Sequence, residues 1–379
     1  MQNYIERVLI YRLGSLGDTV VALPCFHQIA RAYPNAERCL LSNIPVHNKA
    51  PAAFAVLDGS GLVHSYMRYP IATRNLADLI GLQRQIRAFR PQVIVYLTPR
   101  RLAKEVLRDA AFFSLCGAGR VVGLPLAYDA RANRLDPATG EYEPEAARLA
   151  RLMRGLGKID LNDPANWNLG LTLDEHMRAA EALAAVQDRP LLACCVGTKV
   201  QAKDWGGENW RSVLAHLARE MPEWGLALVG AREESAVSEQ AAAAWQGRFV
   251  NLCGRLTPRE SAAALARARL FLGHDSGPMH LAAAVQTPCV AVFAARNRPR
   301  VWYPWGDRHE VVYHRTNCWG CDLEICIEER KKCLTSILPS EVLAAVHRVL
   351  ARGVGQARSS SSFSPPAPDR RGPDGRSPD

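Results

Sequence analysis

The strongest constraint on this chain is a rhythm. Short apolar, β-branched runs alternate with amphipathic stretches from residue 7 onward, stop, and then restart. The first series reads as strands at 7–13, 37–41, 62–66, 92–97 and 120–123, with helices at 18–33, 46–57, 76–89 and 103–116. The second places strands at 191–196, 226–229, 249–252, 270–272, 289–293 and 310–313, again separated by helical patterns. Parallel neighbours need a crossover, and the crossover is usually a helix, so each series predicts an α/β domain with a doubly wound parallel sheet. Two such domains facing each other would set the carboxyl ends of both sheets around one central cleft.

Residues 124–189 lose the rhythm: a Pro-, Asp- and Asn-bearing stretch leads to a helix at 145–156, then to NDPANWN and a helix at 174–186. This is the expected hinge region, giving a first domain at 1–170 and a second at 171–353. After a helix at 339–352 the chain ends in GVGQARSSSSFSPPAPDRRGPDGRSPD. So little apolar content cannot offset the entropy of ordering, so 354–379 is expected to be disordered.

Charge and cysteine usage narrow the partners. Lys plus Arg 47 against Asp plus Glu 37 gives +10, which favours anionic partners. The tail supplies only four Arg against three Asp, so the folded body carries most of it. No helix-turn-helix signature, RNP motif or basic stripe interleaved with aromatics supports nucleic acid. The apolar run Val8 to Tyr11 is too short for a signal-peptide core, and no run of about 18 apolar residues is present to span a bilayer. Eleven cysteines, with Cys25, Cys39, Cys194, Cys253 and Cys289 inside apolar segments, read as buried reduced thiols and a cytoplasmic location.

Three segments carry chemistry, each at the end of an expected strand. Arg12-Leu13-Gly14-Ser15-Leu16-Gly17-Asp18-Thr19 allows a tight turn and close ligand approach before a helix. It matches neither G-x-G-x-x-G nor a P-loop. Asp18 suits a helix N-cap, and equally a general base aimed into the cleft. In Gly197-Thr198-Lys199-Val200-Gln201-Ala202-Lys203, a hydroxyl and two lysines suit a diphosphate, although solvated lysines read the same way. Trp205 and Trp210 are expected to anchor this loop on the core. In Gly273-His274-Asp275-Ser276-Gly277-Pro278-Met279-His280, a capped helix amino terminus after a strand forms a phosphate site, or a purely structural helix. A fourth feature, Cys318-x2-Cys321-x4-Cys326-x6-Cys333, has enough thiols for zinc or an iron–sulfur cluster but not zinc-ribbon spacing.

RLGSLGDTVVALP at 12–24, GTKVQAKDWGGENW at 197–210 and GHDSGPMHLAAAVQTPCVAVF at 273–293 resemble glycosyltransferase family 9, the lipopolysaccharide heptosyltransferases and their relatives. The resemblance runs from about residue 7 to 350. It implies a GT-B fold of two Rossmann-like domains, the first binding acceptor and the second nucleotide sugar. It also implies inverting, metal-independent transfer without a cofactor, most often of heptose from ADP-heptose, to a lipopolysaccharide core or related anionic glycolipid at the inner face of the cytoplasmic membrane. The absence of a D-x-D triplet agrees with that. By motif, Asp18 would be the base and Lys203 and Thr198 would hold the diphosphate, with Lys199 beside them. Asp275, Ser276, Gly277, Met279 and His280 would meet donor phosphate and sugar, Glu233 or Glu234 the ribose, and Gly14, Ser15 and Gly17 the acceptor. Arg68, Arg74, Arg100 and Arg101 offer basic surface to an anionic acceptor. In some relatives similar cysteines have no general catalytic role, which argues against metal. The alternatives are a different donor sugar, or a catalytically silent sugar-nucleotide or glycan-binding protein of the same fold.

Overall fold

The computed structural model describes residues 5–43, 53–69 and 75–360. The part of the expected 46–57 helix before residue 53, Arg74, and the tail beyond 360 lie outside them. Two parallel sheets organise the rest. The first takes β1 (Arg7–Tyr11), β2 (Glu37–Asn43), β3 (Ser65–Tyr69), β4 (Val93–Tyr96) and β5 (Arg120–Val122) in the order β3-β2-β1-β4-β5. The second takes β6 (Leu191–Cys195), β7 (Gly225–Leu228), β8 (Phe249–Asn251), β9 (Leu270–His274), β10 (Cys289–Phe293) and β11 (Glu310–Tyr313) in the order β11-β10-β9-β6-β7-β8. Every strand pair is parallel. The central strands β4, β6 and β10 are buried along their whole length, as continuous apolar runs covered on both faces must be.

Both sheets wind the same way. The first strand of each has its second strand on one side and its fourth on the other, so strand order reverses between β1 and β4 and between β6 and β9. Ligands of open α/β sheets bind in the crevice at that reversal. The three motifs leave β1, β6 and β9, so the topology delivers them to the two crevices.

The helices that matter below are α1 (Leu16–Val21), α2 (Leu23–Ala32), α3 (Leu76–Phe89), α4 (Ala103–Leu115), α5 (Glu145–Leu152), α6 (Leu173–Ala182), α7 (Gly207–Glu220), α8 (Pro258–Leu265), α9 (Gly277–Ala284) and α10 (Pro339–Ser360). One continuous helix at 18–33 is not formed. It breaks at Ala22, because Pro24 has no N–H and its ring would meet the carbonyl of Val20, so Pro24 instead opens α2. The helices read at 145–156 and 174–186 likewise each end in a 3₁₀ turn, Arg154–Leu156 and Ala184–Val186. α5 packs on α2 of the first domain, whereas α6 packs on α8 of the second. α10 continues eight residues past Arg352 into the stretch expected to be disordered; no proline interrupts it before Pro365. Cys25, Cys39, Cys194, Cys253 and Cys289 are all buried free thiols. No described helix is long and apolar enough to cross a membrane.

The domains touch where α1 meets α9. A Cβ at Gly17 would lie 2.7 Å from His280 Cδ2, and one at Gly277 would lie 2.8 Å from Leu16 Cδ2, so these two glycines permit the approach. A second tie is Arg259 of α8, nearly fully buried, which donates to the carbonyls of Val56, Leu169 and Gly170 and pairs with Glu175.

Candidate active site

A cleft of about 450 Å³ lies between the two sheets' carboxyl ends, lined by Ser15 and Gly17 from one side and Thr198, Lys203, Glu234 and Ser276 from the other. It opens onto a recess of about 240 Å³ where Asp18, Lys203, Asp275, His280, Arg296 and Asn297 meet. The first volume falls in the range of small-molecule sites. Two helix amino termini, those of α1 and α9, end here, and both favour negative charge.

Asp18 does not cap its helix. Ser15 holds that position, and Asp18 is the third helical residue, reaching back so that Oδ2 accepts from the Ser15 N–H at 2.7 Å and the Ser15 hydroxyl at 2.6 Å. The turn that allows this needs Gly14 at φ +142°, where a Cβ would lie 2.5 Å from Asp18 Cβ. Gly14 shapes the turn and does not line the cleft. Oδ1 lies 3.9 Å from Nη2 of Arg12, a fully buried guanidinium that also donates to the carbonyls of Asp18 and Leu97. Burial lowers the Arg12 pKa, and the neighbouring Asp18 opposes that shift.

Lys203 sits in a 3₁₀ turn after β6, its ammonium 2.7 Å from Asp275 Oδ2 and within 3.2 Å of the Asp275 carbonyl. Asn297 donates to the same carboxylate oxygen at 2.7 Å. The loop bearing Lys203 is pinned as expected: Trp205 N–H and Trp210 Nε1 both donate to His274 Nε2, at 3.0 and 3.2 Å. A nitrogen accepting two bonds must be unprotonated, and burial holds His274 well below its ordinary pKa. His280 is also driven down, to about 4, chiefly by burial with Asp275 opposing, so it is neutral at pH 7.

Thr198 and Lys199 line the larger cleft with Ser276 and Gly277. The Ser276 hydroxyl is buried in the cleft lining, beside the Cys195 thiol. Of the two glutamates after β7, Glu234 lines the cleft and accepts from the Ala231 N–H, and burial raises its pKa; Glu233 is exposed and is not part of the lining. Met279 is fully buried in the core, because its place in α9 faces the sheet, so its side chain does not reach the cleft. Arg296, Asn297 and Trp302, in the loop after β10, were not indicated by any sequence motif. Their only signal is a polar run, ARNRPR, at the end of a strand. Among the described residues no group of three or more His, Cys, Asp or Glu is arranged to hold a metal ion, and Cys318, Cys321, Cys326 and Cys333 are free thiols.

Comparison with known proteins places this geometry. The family model described as glycosyltransferase family 9 (heptosyltransferase) matches residues 125–332, more than half of the chain. The chain belongs to glycosyltransferase family 9. It is 33% identical over 104 residues to a lipopolysaccharide heptosyltransferase 3 of Escherichia coli, spanning only 28% of that relative's length. Against lipopolysaccharide heptosyltransferase 3 of E. coli K12 the match is 26% over 345 residues, 88% of this chain and 95% of the relative. The crystal structure of a family 9 glycosyltransferase from Veillonella parvula superposes with a TM-score of 0.69 at 18% identity, covering 93% of this chain and 99% of that one. E. coli heptosyltransferase WaaC with ADP-2-deoxy-2-fluoro heptose gives 0.59 at 16%, covering 92% and 99%. The shared architecture is GT-B, two Rossmann-like domains across a cleft, in this family 9 chain as in those structures.

Proposed function

We propose that this family 9 protein is an inverting, metal-independent glycosyltransferase that moves a heptose from ADP-heptose onto an anionic lipopolysaccharide-core glycan. The observation that carries the reading is the shared recess: Asp18 from the first domain and Lys203 with Asp275 from the second line one 240 Å³ space. The ADP-heptose analogue bound by WaaC and the heptosyltransferase names of the relatives support the donor assignment.

In-line displacement needs a base, the acceptor oxygen, the anomeric carbon and the departing phosphate oxygen in one row. Asp18 Oδ2 is engaged by Ser15, which leaves Oδ1 to take the acceptor hydroxyl proton. The freed oxygen forms the new bond to the anomeric carbon as its bond to the diphosphate breaks, and that electron pair leaves on the phosphate oxygen. Lys203, the Ser276 hydroxyl and the α9 amino terminus offset the charge that grows there. Asp275, held by Lys203 and Asn297, fixes the ammonium and offers an acceptor to sugar hydroxyls. Neutral His280 adds no competing positive charge beside the base. Glu234, in the cleft lining, takes the ribose hydroxyls in this reading. Purified protein given ADP-heptose and a heptose- or Kdo-bearing acceptor should release ADP; binding of donor without release would make it a silent sugar-nucleotide binder instead.

A further inference from the structure

Lys203 and Asp275 pair across two loops, and a third segment grips both sides of that pair. In the second sheet β9, whose end leads to Asp275, lies between β6 and β10. The loops that leave β6 and β10 therefore flank the Asp275 turn, one bearing Lys203 and the other Arg296 and Asn297. Residues 320–331 run across both. On one side the Gly320 N–H donates to the Ala295 carbonyl and the Asp322 N–H to the Arg296 carbonyl. The Arg296 guanidinium answers by donating to the Asp322 carboxylate at 3.0 Å and the Leu323 carbonyl at 2.5 Å. On the other side the Glu324 carbonyl accepts from the Ala202 N–H at 3.0 Å, and the Cys326 N–H donates to Gln201 Oε1 at 2.9 Å. Lys331 Nζ donates to the Asp204 carbonyl at 2.7 Å and lies 3.6 Å from the Asp204 carboxylate. Lys203 is thus held at the residue before it and at the residue after it. The turn that presents Lys331 runs against backbone preference: Arg330 and Lys331 are consecutive non-glycine residues in the left-handed region, at φ +45° and +56°. Such conformations persist only where the surroundings fix them, and here the Lys331 N–H donates to Cys326 Sγ at 3.3 Å.

We infer that the 320–331 strap sets the position of the Lys203 ammonium and the Asp275 carboxylate, with Lys331 as its positioning residue. Lys331 lines neither the cleft nor the recess, so it acts on the site only through Asp204 and the turn that carries Lys203. The hydrogen bonds close into a ring. From the strap they pass through Arg296 to the Asn297 side-chain oxygen at 3.3 Å, from Asn297 to Asp275, from Asp275 to Lys203, and from Asp204 back to Lys331. Members of such a network support one another, so loosening one link is felt at the others. The strap also supplies Glu324 to the cleft lining and Asp322 to the recess lining. The adjacent Lys332 is engaged elsewhere, paired with Glu329 at 2.5 Å. The inference rests on the proposed use of Lys203 as the cation for a donor diphosphate.

The experiment is a double-mutant cycle read by calorimetric titration of ADP into the full chain, with ADP release and melting temperature measured on the same proteins. Lys331→Met should weaken ADP binding and lower kcat, each by about tenfold, a coupling of the size found between neighbouring groups, while the acceptor KM stays as in wild type. In a Lys203→Met background the same substitution should change ADP affinity by less than about twofold, because the group it positions is gone. Lys331→Arg keeps a donor for the Asp204 carbonyl and should recover most of the loss, whereas Lys332→Met should match wild type. Gln201→Ala cuts the strap at Cys326 instead and should follow the same cycle with a smaller loss, which decides the matter if Lys331→Met does not fold. ADP affinity in Lys331→Met within about twofold of wild type, or equal losses in both backgrounds, would overturn the inference. ADP binding that follows the cycle, with no turnover by any of the proteins, would count against the proposed transfer alone; absence of ADP binding by wild type would overturn both.

Discussion

At the scale of single residues, the site is governed by which charges are already committed. Lys203 is paired with Asp275, so the proposed donor diphosphate would meet an ammonium held in place rather than one searching for it. Removing a preorganised charge of this kind costs about 10²–10³ in turnover. Lys203→Met should therefore lower kcat by that order and weaken ADP binding, measured by steady-state kinetics and calorimetry; a change below threefold would contradict the assignment. Histidine protonation gives a second residue-scale expectation. Burial takes His280 from the usual 6.5 to about 4, so the unfolded chain binds the proton more readily between those values. Stability is then complete above pH 6.5 and is lost as the pH falls toward 4. His274 and His309 are lowered by burial over the same window, so His280→Asn should make the fall in melting temperature shallower without abolishing it, and an unchanged slope would show that His280 is not the buried neutral group described.

At the scale of elements, the apolar β-branched strands announce themselves because a buried parallel strand has to be apolar on both faces. The departures have physical causes. β3 lies at Ser65–Tyr69 rather than 62–66, because it is a half-exposed edge strand without an apolar run, while buried Leu62 and Val63 belong to the connection before it. Asp18, Lys203 and Asp275 were legible because each closes a glycine-marked or lysine-marked strand-to-helix turn. Arg296, Asn297 and Trp302 were not, since they reach the recess only through the pairing of β10 with β9. The contact of α1 with α9 is another element-level property that sequence spacing does not reveal. Gly17→Val would place carbon 2.7 Å from the His280 ring and force the helices apart. A shift of about 1 Å can cost roughly a hundredfold in rate, so turnover should fall by that order with only a modest change in melting temperature. Full activity in Gly17→Val would mean that this close approach is not used.

For the whole molecule, two sheets wound in the same sense bring their crevices together, and the interdomain ties decide how firmly. Arg259 joins three backbone carbonyls and Glu175 across the hinge. Arg259→Ala leaves those acceptors buried and uncompensated, a loss of about 3–5 kcal/mol in unfolding free energy by urea titration. A loss below about 1 kcal/mol would show that the hinge does not depend on it. The net charge of +10, which by itself is compatible with many anionic partners, is in keeping with the proposed diphosphate donor.

If Asp18 is the base, the cleft binds donor without it. The direct measurement is ADP release by Asp18→Asn, alongside calorimetric titration of ADP into the same protein. Loss of about 10²–10⁴ in turnover with ADP affinity within about threefold of wild type is the predicted result. Turnover near wild type, or loss of ADP binding in step with activity, would contradict it.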